Sequence, residues 1–207
     1  MRIEHWLFAC VIGGSIAAPV CGAQVPPSSS SVAEPAPEAD QVVAAVLPLP
    51  MEFRESARVL GYRPGSPRLV VLRDGKGAFT CLATDPAASR FHVACYHRSL
   101  EPFMARGRAL RAAGVKGGDV DSVRFREVRA GRLTLPRQAA ALYSLTGAAN
   151  SFDPVTGSAP TARALHVVYM PGATAESTGL SARPAEGTPW IMFPGTPKAH
   201  IMFVPRM

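Results

Sequence analysis

Two cysteines, Cys81 and Cys95, each lie inside a short run of strand-forming residues, Ala78–Thr84 and Phe91–His97. That pairing constrains the fold more than any other feature of the chain. If Cys81 faces Cys95 across an antiparallel pair, Thr84 faces His92 and residues 85–91 are left for the loop. Opposed residues in such a ladder sit at separations a disulfide can span. The bridge closes a loop of about 15 residues, worth on the order of 3 kcal/mol in the chain-entropy picture. No Cys-x-x-Cys is present, so its expected role is structural rather than redox.

A disulfide needs an oxidising compartment, and the N-terminus reads as a route to one. Arg2 gives a positive start, Trp6 to Val20 an apolar run, and Cys21-Gly22-Ala23 a small-residue cleavage site after Ala23. The run is too short and too interrupted to span a bilayer, and no later apolar run reaches spanning length. Residues 1–23 are therefore expected to be a signal peptide and the chain to be periplasmic or secreted. Lipid anchoring at Cys21 is the weaker alternative, because Ala18-Pro19-Val20 fits a lipidation box poorly. Residues 24–50, rich in Pro, Ser, Ala and Glu and without an aromatic residue, read as a disordered linker, with an apolar end, Val42–Leu49, that can pack onto the domain as an edge. Residues 51–207 are long enough for a single globular domain with its own core.

Within that domain short strands alternate with turns. Arg68–Leu72 and Ala78–Thr84 flank Asp74-Gly75 and read as a hairpin. Residues 99–113 read as the one principal helix, with Ser99 as cap, an apolar face of Leu100, Phe103, Met104, Gly107 and Leu110, and Gly114 as stop. Residues 122–135 read as a second hairpin across Ala130-Gly131, and 140–145 as strand or helix. Leu165–Met170 is a strand, and Trp190–Phe193 with His200–Val204 closes the chain as a hairpin. Two long loops, 146–162 and 171–188, separate these elements, and loops of that length in a compact domain bind something or move. The expected class is α+β, a mainly antiparallel sheet built from hairpins with one helix packed on it.

The chain carries 22 Lys and Arg against 15 Asp and Glu, a net charge of +7. Of the bases 19 are Arg, the side chain suited to bidentate carboxylate and phosphate contacts, although GC-rich coding yields the same bias. An anionic envelope component or a small ligand is the expected partner; nucleic acid is not expected for an exported chain. Arg124 and Arg126 alternate with Val123 and Phe125, which on a strand puts both bases on one face as a candidate anion site.

Other chemistries leave weaker traces. Gly-x-Ser-x-Gly, Gly-x-x-x-x-Gly-Lys, His-Glu-x-x-His and dinucleotide fingerprints are absent. His92, Cys95 and His97 are spaced like metal ligands, but His92 points away from the other two on a strand and a bridged Cys95 cannot ligate. His166 with Met170, and His200 with Met202, each share a strand face, and imidazole with thioether suits Cu(I). Met beside Val is also ordinary core filler. Glu176, inside Thr174-Ala175-Glu176-Ser177-Thr178-Gly179, is a candidate acid or base, and a hydrolase site would join it to His200 and a loop hydroxyl, with Asp153 as a further carboxylate. No cofactor is called for.

The segment Phe91 to Gly107, with Thr174–Leu180 and Pro189–Val204, resembles a group of exported bacterial proteins that have no assigned activity. The resemblance covers about residues 55–207 and implies a bacterial exported domain, with no mechanism attached. The leading functional expectation is a non-enzymatic binding or envelope-associated module using its long loops or its Arg face. The rivals are a small exported hydrolase near Glu176 and His200, and a copper-binding protein.

Overall fold

The computed structural model describes residues 33–185 and 187–205. The expected signal peptide, Cys21 and the first part of the expected linker lie outside the described residues. The described residues form one compact unit. It is an α+β fold: an eight-stranded sheet in the order β2-β1-β3-β4-β5-β6-β8-β7, with helices against both faces. The strands are β1 (Arg58–Gly61), β2 (Val70–Arg73), β3 (Phe79–Leu82), β4 (Arg90–His97), β5 (Ala140–Ala148), β6 (Arg163–Tyr169), β7 (Trp190–Met192) and β8 (His200–Phe203). All neighbours run antiparallel except β1 and β3. No described helix is long and apolar enough to cross a membrane.

The disulfide forms as expected. Cys81 pairs with Cys95 in register across β3 and β4, and the two are bonded. Thr84 meets His92 through its side chain, its hydroxyl donating to the His92 carbonyl at 3.1 Å and accepting from the His92 amide at 3.2 Å.

The expected hairpin across Asp74-Gly75 does not form. β2 and β3 both pair with β1, which lies between them. The glycines have another purpose: the Gly77 amide donates to the Ser56 carbonyl at 2.8 Å, and a Cβ at Gly75 would collide with the Ser56–Ala57 backbone. They let one chain segment pass against another rather than reverse direction.

Part of the expected linker is structured. α1 (Glu38–Val46) packs on the sheet through Ala44, Ala45 and Val46, and Leu49 follows it into the core. The run Val42–Leu49 supplies enough apolar surface to offset ordering. Gln41 fixes the helix to β1: its amide nitrogen donates to the Tyr62 carbonyl at 2.9 Å and its oxygen accepts from the Tyr62 amide at 2.8 Å. α2 (Met51–Arg54) follows, and Arg54 donates to the carbonyls of Leu47 and Leu49, both at 2.8 Å, closing the C-terminal end of α1.

The expected principal helix is a 3-10 turn (Arg98–Leu100) running into α3 (Glu101–Ala112). His97, not Ser99, caps the start, its ring accepting from the Ser99 amide. Gly114 ends it at φ 86° with the Val115 amide returning to the Leu110 carbonyl.

Residues 119–129 form a second long helix, α4, where a hairpin was expected. Asp119 and Asp121 lie in its first turn and Arg126 and Arg129 in its last, which suits the helix dipole. Gly131, at φ 68°, is a helix stop: the Arg132 amide bonds back to the Glu127 carbonyl at 2.9 Å. Residues 140–148 are strand, β5. The 171–188 loop contains one turn of helix, α5 (Ala175–Thr178), closed by a Thr174–Ser177 capping box.

Register divides the side chains between two faces, since paired residues point the same way. One face carries Val59, Phe79, Cys81, Val93, Cys95 and Tyr143 beneath α1 and α2. The other carries Leu82, Tyr96, Leu142, Val167 and Tyr169, packed with Leu100 and Met104 of the 3-10 turn and α3.

Candidate functional site

Arg124 is the most informative of the expected site residues, because it is inside the protein. α4 crosses α3 over Gly107, where a Cβ would come within 2.9 Å of the Arg124 guanidinium. The guanidinium carbon stacks 3.8 Å from the centroid of the Phe103 ring, Nη1 donates to the Phe103 carbonyl at 3.1 Å, and Nη2 pairs with Asp121. Asp121 also accepts from Lys198 Nζ at 2.9 Å, which ties α4 to the β7–β8 hairpin. Burial alone would raise the Asp121 carboxyl, but hydrogen bonds from Lys198 and Arg124 outweigh it and hold the pKa below the ordinary value.

Arg124 and Arg126 therefore do not share a face: on a helix, residues two apart diverge. Arg126 is exposed on the outside of α4, and Arg124 is 3% exposed and already paired. The expected anion face at Arg124 and Arg126 does not exist as such. Several other arginines are internal ties as well. Besides Arg54, Arg73 donates to the Ala57 carbonyl at 3.1 Å, and Arg98 to that of Gly75.

His200 is the second buried polar group of this region, 6% exposed. Its Nδ1 lies 2.7 Å from the Lys198 carbonyl, which can only accept, so Nδ1 carries the proton and Nε2 is the basic nitrogen. Tyr169 and Phe193 cover the ring at centroid distances of 5.0 and 5.7 Å. Phe193 does so from φ 52°, a left-handed conformation unusual for a bulky residue. Burial, the largest effect, pushes the His200 pKa down; Lys198 adds to it, while the Lys198 carbonyl and Asp121 oppose it.

The hydrolase triad is not assembled around this histidine. The carboxylate whose charge acts on His200 is Asp121. Glu176 is exposed in α5, and Asp153 is occupied within its own loop by the Val155 amide and the Thr156 hydroxyl. The copper set is divided by the sheet. His166 pairs with Phe203 and shares the α1 face with Tyr143, whereas His200 and Met202 pair with Tyr169 and Val167 on the opposite face. A single ion cannot be held by His166, His200 and Met202 together. Among the described residues no cluster of three or more His, Cys, Asp or Glu is placed to hold a metal.

What the structure does bring together is a groove that sequence spacing did not reveal. It lies between the C-terminal half of α3 and the β1–β2 loop and has room for about 820 Å³. Arg68, Arg108 and Arg111 line it with Tyr62, Leu69 and a single carboxylate, Asp85. Arg108 is held from behind: Nη1 donates to the Tyr96 hydroxyl and Nη2 to Glu101, both at 2.7 Å, and the Tyr96 hydroxyl donates to Glu101 at 2.5 Å. Burial, then the charge of Asp85, pushes the Tyr62 hydroxyl up to about 12, so it remains a donor at neutral pH. Among the described residues neither Arg68 nor Arg111 forms an ion pair. The available signal was the Arg111 head at the end of an apolar helix face; its partner Arg68 lies in a loop on the far side of three strands.

Comparison with protein-family models, curated proteins and solved structures finds no match.

Proposed function

We propose that this chain is an exported, non-enzymatic binding module whose ligand presents a phosphate or carboxylate to the groove between α3 and the β1–β2 loop. One observation carries the reading: Arg68, Arg108 and Arg111 all line an open groove with one lining carboxylate, while Tyr96 and Glu101 fix the Arg108 fork in advance. Clustered guanidinium groups concentrate positive potential, and a pre-oriented one loses less entropy on binding. The hydrolase reading lacks support of this kind, since His200 does not line this groove.

Binding of the full chain to vesicles containing an anionic phospholipid, and separately to inorganic phosphate, tests this. Wild-type protein is expected to bind with an affinity that falls as salt rises. The Arg68→Gln, Arg111→Gln double variant should bind at least about tenfold more weakly, a loss expected for two charge-assisted contacts. Binding that survives in the double variant, or that ignores salt, rejects the groove. Vesicle binding without phosphate binding identifies a lipid surface as the source of the anion, and the reverse result identifies a free ligand.

A further inference from the structure

A second groove lies on the α3 face of the sheet, at the β5-β6-β8-β7 end, with room for about 530 Å³. Its floor and walls are hydrocarbon: Leu165, Trp190, Met202, Val204 and Pro184. Polar groups sit at one edge. Register places His92, Thr146 and Arg163 side by side on adjacent strands, and the His92 ring holds the Thr146 hydroxyl at 2.8 Å. Arg163 is exposed and forms no ion pair among the described residues. Trp190 is 7% exposed, and its buried indole N–H finds no acceptor among the described residues.

Among the described residues the charged and unsatisfied groups at this groove, Arg163 and the Trp190 indole, are donors, and its surface is otherwise mostly apolar. We infer that this groove binds an amphiphile with a single carboxylate head, the head at Arg163 and Thr146 and the hydrocarbon body along Leu165, Met202 and Trp190. A guanidinium matches a carboxylate as a two-pronged acceptor, and a site of this volume holds a ligand of medium chain length. A cationic amphiphile would meet Arg163 with like charge. This site is separate from the Arg68 groove and stands whether or not that reading survives.

Titration of the full chain with sodium decanoate below micelle formation, alongside decyltrimethylammonium, tests it. Saturable one-to-one binding of decanoate is expected, with at least about tenfold weaker binding of the cation. Arg163→Gln, a change at an exposed position, should weaken decanoate by about tenfold and leave thermal stability unchanged. The Arg68→Gln, Arg111→Gln variant should bind decanoate as wild type does. In a Trp6→Phe chain Trp190 is the sole indole, and its emission should shift as decanoate saturates. Absence of saturable binding, equal affinity for the two amphiphiles, or an Arg163→Gln affinity equal to wild type would each overturn the inference.

Discussion

The two covers of the sheet are attached by different physics. Beneath α1 the contacts are aliphatic and aromatic, with a covalent bridge between β3 and β4 in their midst. Beneath α3 an apolar cluster is joined to α4 through a guanidinium pressed between an aromatic ring and a carboxylate, and α4 is joined to the last hairpin through the same carboxylate. The first arrangement tolerates small displacements because hydrophobic contact has no direction. The second has one geometry, and removal of one partner strands the others.

The sharpest way to break this contrast is Asp121→Ala. It leaves the buried Arg124 and the half-buried Lys198 without their shared counterion. A loss of about 3–5 kcal/mol in chemical denaturation is expected, as for other buried pairs deprived of one member. The paired replacement Asp121→Leu, Arg124→Met should recover most of that loss, because hydrophobic groups of similar size commonly replace a buried pair without net cost. If the double variant is as unstable as the single one, the contribution lies in the Phe103 stacking rather than in the charge.

On the other cover, Cys81→Ala with Cys95→Ala should lower stability by about 3 kcal/mol, the loop-closure value for this spacing. The α1 contacts should persist in the variant, read as unchanged hydrogen exchange protection of α1 relative to the rest of the fold. Gly107→Ala is next. Its Cβ would push against Arg124, and a loss of about 1–3 kcal/mol is expected from overpacking.

The smallest expected effect is in pH dependence. His200 has a depressed folded pKa, so its neutral form favours the fold. That contribution is complete above the ordinary histidine value of about 6.5 and is lost as the pH falls from there through the folded value. His92 and His166 are depressed too, chiefly by burial, and act in the same direction. Asp121 adds a second limb, complete above about 4 and lost as the pH falls further. His200→Gln should flatten the first limb in part and leave the second intact, as read from denaturation midpoints between about pH 2 and 7.

The positions of β2, β3, β4, β6, β7 and β8 and the disulfide were legible because alternation and cysteine spacing are local signals, whereas β1 was missed and β5 was left open between strand and helix. α4 was misread because Val123, Arg124, Phe125 and Arg126 alternate as a strand would; the acids at its start, the bases at its end and Gly131 carried the contrary signal. α1 was hidden by the proline- and serine-rich residues before it, which dilute a short apolar helix in any composition window. The site failed in a different manner. Arg124 and Arg126 were grouped by sequence distance, whereas Arg68 and Arg111, which line one groove, come from elements that meet only after the sheet has formed. Nothing local to either residue encodes that meeting.

The placement of β1 has a consequence for how the chain is made. Both of its hydrogen-bonding edges are claimed by segments that follow it, β2 on one side and β3 on the other. A chain emerging from its N-terminus exposes Val59 and Leu60, unpaired, until residues beyond 80 have appeared. Closing that three-strand unit must await downstream sequence, which leaves an apolar strand without its partners during synthesis.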